Sequence, residues 1–211
     1  VEPIVWWIEN TTPIERRDTI RNATLSWNSA SEKAGISNAI EVRIQPDDAD
    51  WKAEDVRYNV LRWTSSPRPP FGGYGPSVAN PLTGQIIASD IMLEYSFMKG
   101  RWIAGEMFTD GVTSLSSQMP SSLGDNAAQY CSLGHELNAG LLFGEYASLA
   151  KGMGDIEKDK LLRQAMHYLI LHEVGHTLGL NHNMKASQLH GHDEAHDASV
   201  TQGILAGSVM D

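Results

Sequence analysis

The chain opens on an unbroken apolar run, Ile4 to Ile8, and a run without polar alternation predicts a strand covered on both faces. Thr12-Pro13-Ile14-Glu15 follows, with a capping hydroxyl, a proline for the first turn and an acid three residues past the Thr. The helix predicted from there places Ile20, Ala23, Trp27, Ala30 and Ala34 on one face and ends at Gly35. A second strand over Ile40–Ile44 alternates apolar and polar, and a third is expected over Arg57–Trp63. Strand, helix, strand is the opening of an α/β unit with parallel pairing.

Ser65–Gly75 reads as a loop, because proline and glycine dominate it. Val78 lies in a short segment with Pro76, which an edge strand tolerates and a central one does not. A further strand over Ile86–Tyr95 follows a turn at Asn80–Gly84. The pattern is weaker from Ser96 to Gly154; Asn126–Ala150 is expected to be helical in part, against the cost of Gly134, Gly140 and Gly144. Asp155–Leu178 predicts the strongest helix, apolar nearly all round in its second half and therefore central.

At 211 residues there is room for about one domain with a sizeable core. Sixteen Lys and Arg against 26 Asp and Glu give a charge of -10, which argues against nucleic acid or an anionic membrane as partner. No apolar run is long enough to span a bilayer. A single cysteine, Cys131, excludes an internal disulfide framework and any all-cysteine metal site. The first residues carry no targeting signal and no initiator Met, and the last lack a cap or polar tail. These ends read as those of a piece of a longer protein.

The chemistry concentrates in His172-Glu173-Val174-Gly175-His176-Thr177-Leu178-Gly179-Leu180-Asn181-His182. His172 and His176 lie one helical turn apart on one face, within reach of a common ion. Neutral imidazoles suit Zn²⁺. A third ligand cannot come from the same straight helix on that face. Gly179 can take a left-handed conformation, stop the helix and let His182 return to the metal. Three His leave a fourth position for water, the open geometry of a catalytic zinc. Glu173, beside a ligand rather than in line with one, suits a general base that takes a proton from the zinc-activated water and delivers it to the leaving nitrogen.

The eleven-residue motif at 172–182, together with Ser208-Val209-Met210, resembles the metzincin zinc metallopeptidases. The stretches WWIENTTP, RWTSSPRPPFGGYGPS and HNMKAS resemble more closely a group of large bacterial metzincin-like proteases with flanking uncharacterised domains. The resemblance implies an α/β fold: a twisted mixed sheet of about five strands with an antiparallel edge, packed on a long N-terminal helix and the active-site helix. It implies an N-terminal subdomain over 1–182, the start of a C-terminal subdomain over 183–211, and Met210 as an apolar Met-turn floor. It also matches Gly73, Tyr74, Gly75, Ser77 and Val78 to an edge strand that pairs with extended substrate. A Tyr two residues past the Met, a zinc ligand in some branches, would fall beyond Asp211, and so would the rest of the C-terminal subdomain. An extracytoplasmic bacterial location is the corresponding expectation.

Three functional readings stand at this point: a zinc endopeptidase acting on peptides or proteins, a zinc-stabilised peptide-binding module without catalysis, and a zinc hydrolase for another amide. A chain ending at Asp211 is expected to fold and bind zinc but to cleave peptides poorly, with Met210 loosely held. His190, His192 and His196 form a further histidine cluster, read as a solvated loop ahead of a second metal site. Asp47, Asp48 and Asp50 read as a solvated turn, and Cys131 with His135 as a buried thiol beside an unrelated ring.

Overall fold

The computed structural model describes residues 2–66, 72–94, 133–152 and 155–211. β1 (Ile4–Ile8) runs between β2 (Ile40–Ile44) and β3 (Asn59–Thr64), parallel to both. β6 (Ile86–Glu94) lies parallel to β3 on its other side. β4 (Gly73–Tyr74) and β5 (Ser77–Ala79) pair antiparallel with β6, so the sheet is mixed and carries the expected antiparallel edge. Part of the stretch expected as loop thus pairs as strand at Gly73–Tyr74, and pairing breaks off at Gly75-Pro76 before β5 resumes it. A proline at the interruption costs no ladder bond.

The unbroken apolar run in β1 follows from cover on both faces. Trp6 and Ile8 join Leu61, Ile91 and the helices in the main core. Trp7 points the other way, edge-on to Trp51 at 5.4 Å, while Trp51 stacks on Tyr58 at 3.9 Å. The segment between β2 and β3 folds back to supply those two rings, and the Arg43 guanidinium lies 5.5 Å from the Trp7 ring centre.

The first helix departs from expectation. It divides into α1 (Ile14–Leu25) and α2 (Trp27–Lys33) at Ser26. Thr24 and Ser26 donate their hydroxyls back to the carbonyls of Ile20 and Asn22, and such back-bonding bends helices. Ala30 and Ala34 are consequently exposed, whereas Ile20 and Ala23 are buried as expected. Thr12 does not cap: Pro13 occupies the cap position and the Thr12 side chain is buried. Arg17 shapes the entry instead, donating to the carbonyls of Thr12 and Asn10. Gly35 ends α2 at φ 86°, with Ile36 N–H bonded to Ser31 O and Gly35 N–H to Glu32 O.

α3 (Leu133–Ala150) and α1 both pack on α4 (Asp155–Thr177), which also lies against β4 and β6. The expected helical start at 126 and Cys131 lie outside the described residues. A four-residue helix, α5 (Ala198–Thr201), interrupts the C-terminal segment. None of the helices among the described residues is long and apolar enough to cross a membrane.

The free side of β2 is closed by a side chain. Asn28 accepts from Ile40 N–H at 2.8 Å and donates to Ile40 O at 2.9 Å, replacing a strand neighbour. Asn28→Ala should therefore destabilise the chain by about 1–3 kcal/mol, because both buried backbone groups of Ile40 lose their partner. Urea unfolding measures this, and an unchanged midpoint would show that water replaces the amide without cost.

Candidate metal centre

Helix α4 is apolar where it crosses the core, through Met166, Leu169, Ile170 and Val174. Its last turns then bury polar groups: His172 is 0% exposed, Glu173 1% and Thr177 3%. Thr177 donates to the Val174 carbonyl at 2.7 Å within the helix. His172 needs a partner from elsewhere, since an imidazole N–H buried without one costs free energy. That partner is the Val209 carbonyl, 2.6 Å from Nδ1.

Gly179 ends the helix as expected. Its φ is 90°, its N–H bonds to His176 O, and Leu180 N–H reaches back to Gly175 O at 3.0 Å. The chain turns, and His182 comes back beside the two helical rings. Ring centres lie 4.6 Å apart for His172 and His176, 5.1 Å for His172 and His182, and 4.8 Å for His176 and His182. One nitrogen from each ring falls within 4.8 Å of the others, and His172 Nε2 is 3.1 Å from His182 Nε2.

The donor set fits a zinc ion. Carbonyls accept and cannot donate, so Nδ1 of His172 bonded to Val209 O and Nδ1 of His176 bonded to Leu180 O must both carry hydrogen. That tautomer leaves Nε2 of each ring with its lone pair free for a metal, the outer-shell arrangement that fixes ligand histidines. Burial, helped by the neighbouring His176 and His182 rings and opposed by the Val209 bond, pulls His172 down to about 4. His182 is lowered too, by burial and then by His176. Near neutral pH both rings are held in the uncharged form that ligands need.

Met210 is held firmly, contrary to the loose terminus expected. It is 2% exposed and packs on the bare flank of Gly175, where a Cβ would overlap the Met210 sulfur and meet the Trp27 ring at 3.1 Å. The Trp27 indole donates to the Leu171 carbonyl at 3.0 Å, so α2 grips the same turn of α4. Asn183 N–H binds Met210 O at 2.6 Å, Gly207 N–H binds Ala186 O at 2.9 Å, and the His190 ring bonds Ile204 O at 2.9 Å. These three nested bonds fasten the segment between His182 and Met210 to itself. Sequence reasoning assigned no role to Gly175 and placed Trp27 only on the apolar face of the first helix. A glycine inside a strong helix was the available clue, since it costs about 1 kcal/mol unless close packing requires it.

Of the edge positions, Gly73 and Gly75 lie directly against Glu173. Val78 is 58% exposed on β5, and Ser77 is exposed beside it. The remaining candidates among the described residues do not assemble into metal sites. Among the described residues, the histidines at 172, 176 and 182 form the single cluster able to hold an ion. His192 pairs with Asp193 and sits 6.4 Å, ring to ring, from His196, while His190 is bonded to the backbone.

With this geometry in hand, a comparison with protein families gives one result. Residues 154–211 match the family model described as Met-zincin. The Met-zincin match spans α4, all three histidines, Glu173 and Met210, and the three-histidine cluster fits a metzincin zinc site. The mixed, partly antiparallel sheet and the helices are consistent with a metzincin-like fold. Searches among curated proteins and among solved structures find no match for the chain. Family and cluster together support a zinc-metallopeptidase-like function.

The lowered His172 pKa has a stability consequence with a definite sign. Between an unfolded value of about 6.5 and the folded value of about 4, the unfolded chain binds more protons. Stability of the metal-free chain therefore falls as pH drops through that window, and His172 adds no further loss below it. Melting temperatures under chelator from pH 7 to 4.5 should decline, and decline less in His172→Gln. An equal decline in both would mean that His172 is not held neutral.

Proposed function

We propose that the chain is a zinc-dependent metalloendopeptidase that hydrolyses peptide bonds with Glu173 as general base and then general acid. The observation that supports this most is the convergence at the end of α4. Three imidazoles present ring nitrogens to one point, two of them as fixed acceptors, and a buried carboxylate stands one residue from the first. His172, His176 and His182 would hold the zinc, which when bound polarises a carbonyl and lowers the pKa of water to about 7. Glu173 takes the proton from the attacking water and passes it to the leaving nitrogen. Gly179 turns the chain so that His182 completes the set, and Met210 supports the helix turn between the two helical ligands.

The substrate in this reading is an extended peptide or protein segment. The antiparallel edge of the sheet, Gly73 to Val78, offers backbone groups to which such a segment can add as a strand. The net charge of -10 disfavours nucleic acid as a partner. An extracytoplasmic bacterial setting rests on the sequence resemblance.

Two experiments test the reading. Metal analysis after dialysis should give one zinc per chain for the wild type and less for His172→Ala, His176→Ala and His182→Ala; full occupancy in all three would displace the site. Glu173→Ala should keep its zinc and its circular dichroism while losing about 10²–10⁴-fold in hydrolysis of a peptide library. Wild-type turnover in that variant would require another base, and a zinc-loaded wild type that binds peptides without cutting them would be a binding module.

A further inference from the structure

Gly73 and Gly75 present bare backbone to α4 at the place where Glu173 lies. A Cβ on Gly73 would stand 2.9 Å from Glu173 Oε1, 3.0 Å from its Cγ and 3.0 Å from Leu169 Cδ1. A Cβ on Gly75 would stand 2.8 Å from the Glu173 carbonyl oxygen and 3.2 Å from Oε2. Neither glycine adopts the left-handed backbone found at Gly35, Gly84, Gly152, Gly179 and Gly203. Conformational freedom is thus not what these positions require. Space is.

From this geometry we infer that Gly73 and Gly75 are positioning residues for the Glu173 carboxylate: their missing side chains form the recess that sets where its two oxygens sit. The inference rests on the proposed proton-handling role of Glu173. The two glycines act on different parts of that residue. At Gly73 the obstructing atoms belong mainly to the Glu173 side chain, which can rotate aside, so a methyl there turns the carboxylate and leaves the edge strand in place. At Gly75 the obstructing atom is backbone, so a methyl there must push strand and helix apart. Gly73 is therefore the cleaner probe of carboxylate placement. Proton transfer depends steeply on placement, and an error of about 1 Å can cost about 10²-fold in rate.

The test is Gly73→Ala, alone and combined with Glu173→Ala. Alone, it should retain one zinc per chain and lose about 10²-fold in kcat with a much smaller change in KM, since Ala keeps the backbone groups that an added strand would use. A role confined to packing would instead lower zinc occupancy, with activity following the zinc content in proportion, and that pattern overturns the inference. The second readout needs no activity. Gly73→Ala should lower the melting temperature in the wild-type background and lower it clearly less in the Glu173→Ala background, where most of the obstructing atoms are gone. Equal losses in both backgrounds overturn the inference. Should Gly73→Ala fail to fold, folding of the double variant supports the recess, and failure of both overturns it. A wild type that cleaves no peptide defeats the peptidase reading, while the melting comparison still decides whether the glycines hold the carboxylate.

Discussion

The structure turns on the burial of an imidazole and a carboxylate at the end of an otherwise apolar helix. Removing such groups from water is costly unless each finds a specific partner. For His172 the partner is the Val209 carbonyl, which arrives from the far end of the C-terminal segment. That bond accounts for two things at once. It selects the ring tautomer, and it draws Val209-Met210 under the helix. At Glu173 an edge strand presents glycine where it crosses the carboxylate. In both places backbone comes up close against the polar group.

Close approach is the second recurring device. Gly175 lets Met210 and Trp27 touch one turn of α4, and Gly73 with Gly75 lets the sheet edge touch its opposite side. The helix is thereby located from several directions: by the edge strand, by α2 through the Trp27 indole, by α1 and α3, and by the returning C-terminal segment. A helix so located has little freedom to slide or rotate, and freedom of that kind would be transmitted directly to the rings of His172 and His176.

Legibility from the sequence followed the range of the interactions. The end of α4 was readable because Gly179 acts within a few residues, and the same holds for Gly35 at the end of α2. The parallel pairing of the first strands and the antiparallel edge followed from pattern, resemblance and the placement of Pro76. The break at Ser26 was missed because amphipathic spacing runs through it, and hydroxyl back-bonding leaves that spacing unaltered. The cap at Thr12 was misread because a local motif lost to tertiary burial. Gly73 and Gly75 looked like loop or edge glycines, and nothing near them in sequence pointed to Glu173. The tie from His172 to Val209 was equally hidden, since neither residue type announces a partner on a distant segment.

The excursion between Asn183 and Met210 is closed at its neck and again at two levels above it. Such nesting separates the mechanical fate of the tip from that of the base. Chain length between His190 and Ile204 can change without transmitting force to Met210, because the inner bonds absorb the difference first. The entropic cost of lengthening a closed loop is small, about 0.6 kcal/mol for each doubling. The neck is therefore rigid architecture, while the tip, with Val200 exposed on it, is a place where this scaffold can accept inserted sequence with the metal centre left undisturbed.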